Sequence, residues 1–314
     1  MPARSLGNAR GAARGAVTRV GTRGSSLARA QSTWVIERLR ALAPDRDWEP
    51  VVVTTTGDTS AAAPRGSGVF VKELQMALLD ETIDVAVHSL KDLPTDPVPG
   101  LTIAAIPERA DPREALVGAQ LGGLGAGARV GTGSPRRSAQ LRRLRPDLEV
   151  TPIRGNVPTR IDKVHAGELD AVMLAAAGLG RLGIAADWLF DPEVVLPAPG
   201  QGALGIEARE GDVDAGLLAA LDDPATRAAV LAERAVLAEL GGGCMLPVAA
   251  YGRLRSGTLL VEGSVTSPDG ARQAWARAEG DPASPADLGA RVAKELVVLG
   301  ALEILDETGH AGRP

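Results

Sequence analysis

The stretch RVGTGSPRRSAQLRRLRPDLEVTPI, residues 129–153, reads as a strand, a turn, a helix and a second strand in immediate succession. Arg129–Thr132 and Leu148–Ile153 are the strands. Between them Ser134–Leu144 has the marks of a helix start, with Ser134 at the N-cap and Pro135 at the first helical position. A helix over Val157–His165 and a strand over Ala171–Leu174 continue the alternation. Strands alternating with helices imply parallel βαβ units.

The same grammar runs through the preceding segment. Val17–Thr22 reads as a strand, followed by a helix with Leu27, Ala30, Trp34, Val35 and Leu39 at its apolar positions. Val51–Thr55 reads as a second strand, Thr56–Gly68 as a small, polar, mobile loop, and Phe70, Leu74, Ala77 and Leu78 as one face of a helix. Strands at Ile83–His88 and Leu101–Ile106 follow. Pro197–Gln201 (PAPGQ) reads as a hinge, after which Ala203–Glu207 is expected to add a strand to the first sheet. From about Asp223 the pattern changes to a helix, three hairpin-like strands near Val248–Arg253, Leu259–Val265 and Gln273–Ala278, and one long helix, Ala286–Leu305. The expected fold is therefore α/β. A disordered extension (1–15) precedes one lobe (16–107 with 203–220), a second lobe (108–198) and a small C-terminal α+β domain (223–308). Two chain crossings between the lobes would frame a cleft.

Composition narrows the function classes. The chain has 314 residues, 45% of them apolar but only 2% aromatic, so its cores must be aliphatic. With 34 basic against 39 acidic residues the net charge is −5, which argues against a nucleic-acid binder. One cysteine rules out an internal disulfide and multi-cysteine metal sites, and His88, His165 and His310 lie far apart, so no metal is expected. The longest uncharged stretches, such as Ala115–Ala128, are too short and Gly-rich to span a bilayer. A soluble monomer of a reducing compartment, the cytoplasm, is expected. Arg4, Arg10, Arg14, Arg19, Arg23 and Arg29 all precede the first acid, Glu37, a pattern shared by transit peptides and basic tails.

Three features carry chemistry. Cys244 sits in Gly241-Gly242-Gly243-Cys244-Met245-Leu246-Pro247, where the glycine run gives more backbone freedom than a core thiol needs and suits one bearing something covalent. Arg136 and Arg137 open a helix, Arg154 and Arg160 flank the next strand–helix turn, Arg23 follows the first strand, and Arg181 follows a strand of the second lobe. Guanidinium groups at such turns suit carboxylates or phosphates. Asp92, in His88-Ser89-Leu90-Lys91-Asp92-Leu93-Pro94, follows a strand, where it either caps a turn or serves as an acid/base. The Gly-x-Gly-x-x-Ala match at Gly123–Ala128 runs into a strand and not a helix, so it is no dinucleotide site.

Together these blocks resemble the porphobilinogen deaminase (hydroxymethylbilane synthase) family: TRGSSLARAQ, FVKELQMALL, VAVHSLKDLPT, GTGSPRRSAQL, IRGNVPTRI, AAAGLGRLG, LPAPGQGALGIE and GGGCMLP stand in its order from about Val17 to near Leu305. The resemblance implies two periplasmic-binding-protein-like lobes around a cleft and a third domain bearing the cysteine. It implies a transferase that links four porphobilinogen units head to tail, with loss of ammonia, on a dipyrromethane cofactor held by a thioether to Cys244. Asp92 matches the catalytic carboxylate; Ser89, Lys91, Ser134, Arg136, Arg137, Arg154 and Arg160 match positions holding cofactor or chain carboxylates. Arg23, Ser25, Gln31 and Arg181 match positions near incoming substrate, and Phe70 the end of a mobile loop. In that loop Ser67 stands where many members have lysine, and Thr56 and Ala63 lie where others are basic, leaving Arg65 alone. A solute-binding module shares such a fold, but would need neither the glycine-flanked Cys244 nor Asp92.

Overall fold

A computed structural model describes residues 17–54, 71–211, 215–243 and 246–308. The expected N-terminal extension, the 56–68 loop, Phe70 and Cys244 itself lie outside the described residues. The first lobe opens with β1 (Val17–Thr22) and α1 (Ser26–Leu42), whose N-cap Ser25 accepts a hydrogen bond from Ala28 N. Next come β2 (Asp47–Val52), α2 (Lys72–Leu79), β3 (Val85–Ser89) and β4 (Leu101–Ala105). The chain then enters the second lobe with β5 (Glu114–Val117), β6 (Arg129–Thr132), α3 (Pro135–Leu144), β7 (Glu149–Pro152), α4 (Val157–His165), β8 (Ala171–Ala175), α5 (Ala176–Arg181) and β9 (Trp188–Leu189). It returns through β10 (Leu204–Arg209) and α6 (Ala215–Ala219). The last part consists of α7 (Pro224–Glu239), β11 (Val248–Arg255), β12 (Thr258–Thr266), β13 (Gln273–Gly280), α8 (Pro285–Val298) and α9 (Ala301–Asp306).

The two large sheets share one plan. Their strand orders are β2-β1-β3-β10-β4 and β7-β6-β8-β5-β9, and the third sheet is β11-β12-β13. In each large sheet three parallel strands come first, and the fourth is antiparallel: β10 runs against β3 and β4, β5 against β8 and β9. The sheets are thus mixed rather than purely parallel. Neither β5 nor β10 is delivered by a crossover helix, so nothing forces it into the parallel direction.

Two expected boundaries change. The second strand lies over Asp47–Val52 instead of Val51–Thr55, because β1 sets its register from Val17↔Asp47 to Thr22↔Val52. Being at a sheet edge, β2 tolerates Asp47 and Pro50 and buries Trp48. The long final helix is broken at Gly300, whose φ of 88° is left-handed, giving α8 and α9.

Each unit has an aliphatic core. Val20, Val35, Leu39, Val85 and Ile206 fill the first, Leu116, Val130, Leu141 and Met173 the second, and Val236, Val261, Val292 and Leu296 the third. Full burial of one such side chain contributes roughly 1.5–3 kcal/mol. α8 crosses α7 at Gly289, where a Cβ would lie 2.2 Å from Ala232 O, so only glycine permits that approach.

Candidate functional site

Asp92 ends a short 3₁₀ turn, Leu90–Asp92, at the carboxyl end of β3. Leu90 is fully buried and pins the turn to the core, while Asp92 is half-buried. Backbone partners come from three directions. Leu90 N donates to Ala203 O at 3.0 Å. Gly200, with φ +75°, packs so tightly that a Cβ would sit 3.2 Å from Lys91 N. From α7, Arg234 donates through Nη1 to Leu93 O at 2.8 Å and through Nη2 to Pro94 O at 2.5 Å. The end of α7 leads into Gly241, Gly242 and Gly243, all with positive φ, and a Cβ on Gly242 would lie 3.1 Å from Thr95 Oγ1. The glycine run that precedes Cys244 therefore rests against the loop that carries Asp92.

The arginines of the second lobe are held differently. Ser134 caps α3 and accepts from Arg137 N, as its position in the sequence predicts. Arg136 and Arg137, however, are only 3% and 6% exposed. Their partner is Glu114 on β5, which is fully buried: Arg136 Nη2 donates to Oε1 at 2.5 Å and Arg137 Nε to Oε2 at 2.7 Å. Arg136 Nη1 also donates to Leu196 O at 2.8 Å. Gln201 completes the cluster. Its Oε1 accepts from both Arg137 Nη2 (3.2 Å) and Lys91 Nζ (3.3 Å), and its Nε2 donates to Pro112 O. Lys91, next to Asp92, and Arg137 thus share one oxygen, which joins the carboxyl ends of β3 and β6.

Charge in this cluster is out of balance. Burial and the nearby Arg137 push the Lys91 ammonium down to about 8, against the pull of Asp92 and Glu114. Burial favours a neutral Glu114, but Arg137, Arg136 and Lys91 outweigh it and hold its carboxyl below the ordinary range. Burial lowers Arg136, and burial together with Arg137 lowers Arg160. Cations outnumber carboxylates, so an incoming polycarboxylate would relieve the excess. That excess is the feature that fits a carboxylate-bearing pyrrole group.

The other expected site residues are spread around this centre. Arg160 donates through Nε to Gly155 O at 2.7 Å, near the Ser134 turn. Arg181 donates to Gly202 O at 2.8 Å, and burial lowers it to about 10. Its helix α5 meets α1, where a Cβ on Gly178 would lie 3.6 Å from Leu27 Cδ2. Gln31 is buried on α1, Arg23, Ser25 and Ser89 are half-buried, and Arg154 is exposed. Glu114, Gln201 and Arg234 are absent from the sequence-derived set. Glu114 has one signal, an acid at the start of the apolar run Ala115–Val117; Gln201 reads only as the end of the PAPGQ hinge, and Arg234 has none.

Among the described residues no group of three or more His, Cys, Asp or Glu side chains could hold a metal ion, and no helix is long and apolar enough to cross a membrane. Fold and charge define a class: two-lobed α/β proteins with a cationic seat where the lobes meet and a third domain against it. Two family models match the chain: porphobilinogen deaminase, dipyrromethane cofactor binding domain, over residues 18–216, and porphobilinogen deaminase, C-terminal domain, over residues 227–298. The chain belongs to the porphobilinogen deaminase family. A porphobilinogen deaminase of Acidothermus cellulolyticus is 52% identical over 312 residues, covering 95% of this chain and 94% of that protein. One of Thermus thermophilus is 48% identical, covering 91% of this chain and 97% of its own. Among solved structures, a methionine-binding protein matches 64% of this chain and 86% of its own at 12% identity, with a TM-score of 0.42.

Proposed function

We propose that porphobilinogen is polymerised at the seat between the lobes, with Asp92 as the catalytic carboxylate and Cys244 as the attachment point of the dipyrromethane. The protein is a transferase, a hydroxymethylbilane synthase of tetrapyrrole biosynthesis that joins four porphobilinogen molecules head to tail and releases ammonia. One observation carries the assignment of roles: Lys91, adjacent to Asp92, and Arg137 share the Gln201 oxygen, so one carboxylate and a set of carboxylate-binding cations belong to one cluster.

The chemistry follows from the groups present. When bound, the dipyrromethane supplies an α-free pyrrole as the first acceptor. Once the substrate's aminomethyl nitrogen is protonated, its C–N bond breaks, the electron pair leaves with ammonia, and a cation remains on the substrate. Asp92 helps deliver the proton to the leaving amine, its carboxylate then stabilises that cation, and the same oxygen takes the α-proton displaced when the new C–C bond forms. Lys91, Arg136, Arg137 and Arg160, with Ser89, Ser134 and Arg154 at the same strand ends, bind the acetate and propionate groups. Arg23, Ser25, Gln31, Arg181 and Phe70 serve the incoming substrate. Residues 16–107 with 203–220, 108–198 and 223–308 form the three units, acting as a cytoplasmic monomer.

Intact-protein mass and Ehrlich's reagent test this reading. Wild type should carry a two-pyrrole adduct and stain, and Cys244→Ser should fold without either, because a hydroxyl is a far weaker nucleophile than a thiolate. Equal staining of both would move the attachment elsewhere. An unmodified wild type that consumes no porphobilinogen would end the proposal.

A further inference from the structure

We infer that Glu114 is a positioning residue whose two carboxylate oxygens set the spacing of the Arg136 and Arg137 guanidinium groups, so that their remaining N–H groups meet the carboxylates of the pyrrole chain already aligned. This rests on the proposed function. Glu114 lies on β5, flanked by β8 and β9 within the sheet, so its backbone is among the most constrained near the site. It receives Arg136 Nη2 and Arg137 Nε on separate oxygens, at 2.5 and 2.7 Å, with all three side chains buried. A carboxylate placed only to offset buried charge needs one partner. Here it is forked between two guanidinium groups from adjacent residues of α3, at a helix start held by the Ser134 cap. Among the described residues Arg137 Nη1 and Arg136 Nε have no protein acceptor. Donors so fixed lose little freedom when a carboxylate arrives.

Glu114 has a second effect, on Lys91. Among the described residues the charges acting on that ammonium include Arg137 and Arg136 from α3, Asp92 from its own turn, and Glu114 from β5. Glu114 helps keep Lys91 protonated near neutrality. Neutralising Glu114 should therefore move Lys91 below its present value of about 8 and make the cluster lose a binding cation at lower pH.

The test is Glu114→Gln, which keeps shape and removes charge, with Glu114→Asp beside it. For each purified protein, adduct occupancy by intact mass, KM and kcat for porphobilinogen against pH, and thermal unfolding are measured. Glu114→Gln should show lower occupancy and a kcat/KM reduced roughly ten- to hundredfold, the range of one charge-assisted contact. Most of that loss should fall in KM, and the alkaline limb should move to lower pH. Glu114→Asp keeps the charge on a shorter arm, so the limb should stay in place while KM rises several-fold. Wild-type KM with an unmoved limb in Glu114→Gln overturns the inference, whatever happens to thermal stability. Should that variant fail to fold, a wild-type KM in Glu114→Asp overturns it equally. The wild-type control separates the two layers: a wild type without adduct sinks the proposed function, whereas an adduct-bearing wild type beside a normal Glu114→Gln sinks only the role of Glu114.

Discussion

The two large sheets take in their fourth strand the same way, yet the buried glutamate each strand brings meets a different partner. In the first lobe β10 carries Glu207, 4% exposed, whose Oε2 lies 3.0 Å from His88 Nε2 and whose Oε1 accepts from Gln75 Nε2 at 3.0 Å. In the second, β5 carries Glu114, whose oxygens are held by Arg136 and Arg137. The Gln75 amide serves one Glu207 oxygen without charge, while Oε2 and His88 Nε2 lie close together, both buried and outside hydrogen-bond geometry; at Glu114 two guanidinium groups bring one positive charge more than the carboxylate cancels. The first lobe presents the half-buried Asp92 carboxylate beside Lys91 at the end of β3, and the second a pair of arginines sharing one glutamate. One architecture, used twice, yields a carboxylate on one side and a pair of guanidinium groups on the other, which the proposed function assigns to proton transfer and to anion binding.

The comparison breaks most readily at Arg136. Arg136→Leu strips one arm from a fully buried carboxylate and leaves Gln140 Nε2 as the remaining donor to Leu196 O. Removing one partner of a buried ion pair costs roughly 3–5 kcal/mol, so denaturant unfolding should show a loss of that order. A loss below ~1 kcal/mol would mean the second lobe does not depend on its charge pairing.

A smaller effect, confined to turnover, is expected at Asp92. Its turn is held by Ala203 O, Gly200 and Arg234, none of which uses the carboxylate. Asp92→Asn should keep wild-type thermal stability but lose at least ~10²-fold in turnover, the low end for a general acid–base group. Near-normal porphobilinogen consumption by a stable variant would reduce Asp92 to a structural cap.

The smallest effect is expected at Glu207. Glu207→Gln retains the size and a partner for Gln75, so unfolding free energy should change by about 0.5–1.5 kcal/mol, the worth of an ordinary hydrogen bond, with turnover unchanged. A loss equal to that of Arg136→Leu would erase the distinction between the two glutamates.

Local signals were legible where the chain's chemistry is local. Ser134 and Pro135 announce the start of α3 because a cap needs only residues three positions apart. The Val157–His165 helix was likewise readable in full, and the structure adds Asn156 as its cap. Short apolar strands flanked by turn residues marked β1, β3, β6 and β8 to within a few residues. β2 was misplaced because an edge strand takes its register from its neighbour, and β5 and β9 were missed because they pair antiparallel with elements distant in sequence.

For the site, the order of motifs along the chain already named the family, and with it Asp92, Cys244 and the arginines. Residue types at strand ends can suggest a carboxylate-binding chemistry without any coordinates. What no local pattern could reveal is who neutralises whom. Glu114 reaches Arg136 and Arg137 across 22 and 23 residues, Gln201 joins Arg137 to Lys91 across 64 and 110, and Arg234 reaches Leu93 across 141. Those partnerships exist only once the chain has folded back on itself, because burial then makes charged groups find hydrogen-bonding partners that lie far away in sequence. Sequence carried the chemical parts, and tertiary packing decided their charge balance.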